Sequence, residues 1–128
     1  MAAIATFAED NILKYILGAS SASAPSKWAI SIANGAPTNA AGSEAAAATV
    51  SRQSVTFSSQ AVGTFTNAAA MTFAFGAAMT ASGLVVWDSL ASSAVGNMLW
   101  YGNLATVRTL GSGDSLVVAA GALSISLS

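Results

Sequence analysis

Residues 83–128 read GLVVWDSLASSAVGNMLWYGNLATVRTLGSGDSLVVAAGALSISLS. Runs such as Leu84-Val85-Val86-Trp87 and Met98-Leu99-Trp100-Tyr101 are β-branched or aromatic. Gly, Asn, Asp and Ser separate them at short, regular intervals, the pattern of an antiparallel sandwich or barrel rather than of a catalytic α/β fold. Strands are predicted over Leu84 to Asp88, Met98 to Leu104, Thr106 to Leu110, Asp114 to Ala119 and Ala122 to Leu127. In the last, Leu123, Ile125 and Leu127 alternate with Ser124, Ser126 and Ser128, which leaves one face wet or loosely covered. Gly111-Ser112-Gly113-Asp114 and Ala120-Gly121 are tight connections.

Upstream, alternation predicts a half-buried strand over Lys27 to Ala33, with Trp28, Ile30 and Ile32 on one face. Further strands are predicted over Val50 to Phe57, Ala61 to Phe65 and Ala68 to Phe75, the last with Met71, Phe73 and Phe75 on one face. Residues 34–49 are rich in Gly, Pro and Ala with no apolar period, and predict a long loop or arm. Glu44 to Thr49 has the composition for one helical turn.

One helix is predicted, over residues 7–17. Thr6 and Glu9 have capping-box spacing. Glu9 and Asp10 suit the positive end of the helix dipole, and Gly18 suits a left-handed stop. Ile12, Leu13, Ile16 and Leu17 form an apolar stripe. A helix of about 11 residues does not stand alone, so it docks on its own sheet or on a neighbouring subunit. One helix and about eight strands give an all-β fold, an antiparallel β-sandwich of jelly-roll-like type with a short N-terminal α-helix, in a single domain over residues 1–128.

Hydrophobic residues are 54% of the 128-residue chain and charged residues only 7%, against about 25% in an ordinary soluble domain. The deficit implies surface that packs on copies of the chain or on a partner. Membrane spanning is not expected, because Thr72, Gly76, Thr80, Ser82 and Gly83 interrupt the longest apolar candidate. Glu9 and Asp10 fall where the apolar block of a signal peptide would lie. Lys14, Lys27, Arg52 and Arg108 are scattered, so no phosphate-binding patch forms and nucleic acid is not an expected partner. With no Cys and no His, there is no disulfide, thiolate site, imidazole ligand or Ser-His nucleophile. No cofactor and no metal is expected.

The five carboxylates are Glu9, Asp10, Glu44, Asp88 and Asp114. The first two belong to the helix start. Asp88 and Asp114 sit at turn positions, where Asp is favoured for local hydrogen bonds. A two-carboxylate glycosidase built on Asp88 and Asp114 is the enzymatic alternative. Trp28, Trp87 and Trp100 read as core or interface residues ahead of a sugar- or peptide-binding groove.

Two stretches carry a resemblance. FAEDNILKYILG, residues 7–18, is followed by Pro25 and KWAISIA. Residues 84–127 then present Asp88, Gly96, Asn97, Leu99, Tyr101, Gly102, Leu104, Gly113, Asp114, Ala120, Gly121 and Leu123 in order. Together with VSRQSVTF they resemble small structural proteins of tailed bacteriophages, both tail-fibre-like and capsid-associated. The chain departs from that group in residues 34–49, which are Ala-rich rather than acidic. The resemblance implies a non-enzymatic virion protein assembled in the host cytoplasm. Combined with the charge deficit it suggests a capsid cement or decoration protein: a homotrimer on the capsid surface bridging copies of the major capsid protein. The alternative is a tail fibre or baseplate component in host attachment. Expected interface residues are Phe7, Ile12, Tyr15, Ile16, Trp28, Pro37, Glu44, Arg52 and Arg108.

Overall fold

The computed structural model describes residues 2–18, 24–39, 43–91 and 96–126. Strand β1 (Ala2–Ile4) leads into helix α1 (Thr6–Ile16). Then follow β2 (Ala29–Ala33), β3 (Gln53–Ser54), β4 (Phe57–Ala61), β5 (Thr64–Asn67), β6 (Met71–Ala74) and β7 (Met79–Trp87). The long β8 (Met98–Leu110), β9 (Ser115–Val118) and β10 (Ser124–Ser126) complete the chain. All pairings are antiparallel, in sheets ordered β1-β8-β7-β2-β3, β10-β5-β4 and β6-β9. The fold is the expected mainly β one with a short helix, and the sheets face one another across a shared core in a sandwich-like arrangement.

That core is built from the alternation of the strands. Ile30 and Ile32 from β2, Met71 and Phe73 from β6, Val86 from β7, Leu99 from β8 and Ile125 from β10 are buried together, with Phe75 just beyond β6. The predicted Met71-Phe73-Phe75 face is thus the buried one. Fully burying such side chains is worth about 1.5–3 kcal/mol each, which makes this cluster the main source of stability.

Several expectations need correction. The strand predicted over Ala61 to Phe65 is the hairpin turn between β4 and β5, with Gly63 at φ 75°. Strand β2 is not half-buried, because all five of its residues are inside. Its second face, with that of β7, forms a smaller cluster of Ala33, Val85 and Trp87, so β2 has core on both sides.

The cover over that second face is the segment expected to be a free arm. The chain returns antiparallel to β2, with Asn34 N donating to Ser43 O at 2.9 Å and Ala45 N to Ile32 O at 2.9 Å. Pro37 and Ala45 are buried. A Cβ on Gly83 would meet the Pro37 ring at 2.8 Å and the Gly102 carbonyl oxygen at 2.7 Å, so only glycine admits this approach. Residues 40–42 of the expected arm lie outside the described residues.

The strand predicted over Val50 to Phe57 divides into β3 and β4 around Val55, which is buried. Met98 to Leu104 and Thr106 to Leu110 are one strand, β8. Its register against β7 shifts where Ala81 pairs with Arg108 but Gly83 with Asn103. The extra residues on β8 bulge outward, which is how a single long strand can change direction.

Thr6 does not cap the helix. Ala5 is the N-cap, with no side-chain cap bond, and Thr6 N–H instead donates to Asn39 Oδ1 at 2.7 Å. The helix start is therefore satisfied by Asn39 rather than from its own first turn. Its other end behaves as predicted, with Gly18 at φ 76°.

Candidate functional site

The charged residues do not assemble a reaction centre. Asp88 ends β7 and closes the connection to β8: its Oδ1 accepts from Asn97 N–H at 2.6 Å and its Oδ2 from the Asn97 amide at 2.8 Å. Asp114 Oδ2 accepts from Gly111 N–H at 2.7 Å. Gly111 follows Leu110, whose partner Met79 starts β7, whereas Asp88 follows Trp87 at the other end. Nine strand residues separate the two positions, a span on the order of 27 Å. Paired glycosidase carboxylates lie about 5–10 Å apart, so Asp88 and Asp114 cannot act as such a pair. Among the described residues no group of three or more His, Cys, Asp or Glu could hold a metal ion, and no helix is long and apolar enough to cross a membrane.

Glu44 and Arg52 form a buried ion pair. Arg52 Nε donates to Glu44 Oε1 at 2.6 Å and Nη2 to Oε2 at 2.9 Å, and their side chains are 0% and 7% exposed. The third arm of the guanidinium, Nη1, donates to the Ser89 carbonyl at 2.7 Å. Its carbon lies 4.0 Å from the centre of the Trp87 ring, and Trp87 Nε1 donates to Ser31 Oγ at 2.8 Å. Desolvating two charges is offset here by two-point geometry and by the aromatic face. This network fastens the 43–52 segment over β2 and β7. Of the residues expected at an interface, Pro37 and the Glu44–Arg52 side chains are thus buried within the chain.

The remaining interface candidates lie at the surface or close to it. On α1, Phe7 is 40%, Tyr15 79% and Ile16 70% exposed, while Ile12 is half-buried. Trp28 and Arg108 are exposed. The apolar stripe does not rest on the chain's own sheet: Ala8 is the buried residue of α1, and Leu13 and Leu17 project into solvent. The tryptophans divide. Trp87 is core, but Trp28 and Trp100 line an open groove of about 370 Å³ with Phe57, Phe65, Val86 and Ile125.

The sequence offers Trp28 and Trp100 as groove residues only behind a core or interface reading, and it does not mark the other walls. The groove's residues come from β4, β5, β7, β8, β10 and the approach to β2, and no local motif marks them.

No curated protein matches the chain. Residues 3–126 match the model of a family described as podophage GP4 fiber I protein gp80. Because the match spans nearly the whole chain, the protein belongs to the podophage GP4 fiber I protein gp80 family and is a tail-fibre-like structural protein of a tailed-phage virion.

Proposed function

We propose that this chain is a non-enzymatic subunit of a tail fibre and serves in host attachment. The observation that carries the reading is membership of a fibre family over residues 3–126. The separation of Asp88 from Asp114 by the length of β7 supports a structural rather than a hydrolytic role. In this reading the principal partners are other fibre subunits rather than the major capsid protein, and the apolar surface on α1 and in the groove serves assembly. The family match favours the fibre over capsid cement as the protein's place in the virion.

Immunogold labelling of purified virions tests the placement. Gold confined to fibres is the expected result, and gold spread over the capsid lattice would overturn it. Pre-incubating host cells with purified protein tests attachment. A dose-dependent fall in phage adsorption is expected, and unchanged adsorption at saturating protein would remove the attachment role.

A further inference from the structure

Of the six asparagines in the chain, only Asn34 is followed by glycine. The pair lies just past the end of β2, where the chain turns back over the second face of the sheet. Asn34 is exposed, and its side-chain amide makes no hydrogen bond to a described residue. The Gly35 N–H likewise donates to none of them. The fold does not require glycine at this position. Gly35 has no positive φ, and a Cβ on it would meet only Ser43, at an ordinary 3.8 Å. What glycine supplies is a backbone nitrogen without a neighbouring side chain to shield it, on a residue of wide conformational freedom.

We propose that Asn34-Gly35 is a self-modification site whose isoaspartate product loosens the cover over β2 and β7. The Gly35 nitrogen attacks Asn34 Cγ. The new N–Cγ bond closes a cyclic imide, the Cγ–Nδ2 bond breaks, and the proton lost from the Gly35 nitrogen leaves with the ammonia. Water then opens the ring at either carbonyl. Breaking the N–Cγ bond restores the normal chain with an aspartate. Breaking the bond to the backbone carbonyl leaves the chain running through Cγ, as isoaspartate. One water is consumed and one ammonia released, with no oxidant, metal or cofactor.

The other asparagines lack this combination. Asn67 is buried with its amide and its oxygen both engaged. The Asn97 amide donates to Asp88 and the Asn11 amide to the Phe7 carbonyl. Asn39 Oδ1 accepts from Thr6 N–H. Asn103 is exposed, but it lies within β8 and precedes Leu104. The product at Asn34 falls between two anchors. Ala33 is buried on one side, and Pro37 is buried on the other, beside Gly83. Isoaspartate adds a backbone atom between them, and extra length inserted between packed groups forces them to move. The Asn34 N–H bond to the Ser43 carbonyl and the seat of Pro37 are the contacts displaced.

Incubation of the folded protein at mildly alkaline pH, where the attacking nitrogen loses its proton more readily, tests the proposal. Peptide mapping by mass spectrometry, with fragmentation that separates the two acids, reads the products. Asn34 is expected to convert progressively to both acids with isoaspartate in excess, while the other five asparagines stay intact. Gly35→Ala is expected to fold as wild type and to convert far more slowly. Asn34→Asp is expected to keep the wild-type urea midpoint, and the aged isoaspartate fraction to unfold at lower urea. Asn34 that stays intact in the folded protein, conversion to aspartate without isoaspartate, or a Gly35→Ala variant that converts as fast as wild type would overturn the proposal. So would an isoaspartate fraction whose urea midpoint equals that of the unaged protein.

Discussion

Arg52 lies flat against Trp87 while holding Glu44 with two of its nitrogens, so one guanidinium joins the 43–52 segment to the central sheet through both a charge and a ring. The pair is buried, and the cost of disturbing it depends on which partner is removed. Glu44→Gln leaves a buried guanidinium without its countercharge and is expected to lower unfolding free energy by about 3–5 kcal/mol. The double change Arg52→Met with Glu44→Leu is expected to cost less than either single change. Urea unfolding of the double variant, of Arg52→Met and Glu44→Leu alone and of Glu44→Gln checks this, and addition of salt is expected to move wild-type stability little because the pair is shielded from screening.

Trp87 and Trp100 are expected to respond differently to the same truncation. Trp87→Phe removes the bond to Ser31 and weakens the stacking surface under Arg52, at an expected cost of about 2–3 kcal/mol. Trp100 Nε1 is buried and has no hydrogen-bond partner, so Trp100→Phe deletes an unsatisfied donor along with ring volume. Its net cost is expected to be below about 1.5 kcal/mol. Thermal unfolding of the two variants gives the ordering.

Asn67 joins three strands' ends through its side chain. Its amide donates to the Ala69 and Ala119 carbonyls, each at 2.9 Å, and its oxygen accepts from Leu123 N–H at 2.9 Å. Asn67→Asp keeps the shape but turns a carboxylate oxygen toward two carbonyl oxygens. The expected loss is about 3 kcal/mol or more, and it exceeds that of Asn67→Ala. Denaturant midpoints for both variants settle the order, and hydrogen exchange is expected to show loosening first in β5 and β10.

Gly83→Ala forces a Cβ against the Pro37 ring and the Gly102 carbonyl. Displacing a packed ring and a paired strand together is expected to cost about 2–3 kcal/mol. A tryptophan-fluorescence change on unfolding at a lower denaturant midpoint is the readout.

The alternation of Met71, Phe73 and Phe75 was legible because one face of that strand meets core and the other meets water. Asp88 and Asp114 were legible as turn residues because their hydrogen bonds are local in sequence. The burial of Arg52 was not, since a charge in a polar stretch ordinarily marks surface, and its partners Glu44, Trp87 and Ser89 arrive from separate segments. The continuity of β8 was hidden for a related reason: the predicted strands break at Ala105, and that break is instead the place where the register against β7 shifts, between the Gly83–Asn103 and Ala81–Arg108 pairs. The aromatic groove is the extreme case, being made wholly by tertiary assembly.

The pairing of Ile4 with Trp100 joins two strands that lie far apart in the sequence. Strand β10 likewise closes on β5 from the far end of the sequence. Such long closures are slow to form. A growing chain therefore holds its helix and its central strands without their final cover until β8 and β10 have left the ribosome. During that interval the unpaired edges of β7 and β5 are open to copies made nearby. The sheets therefore close only after these sequence-distant strands have been made and have met.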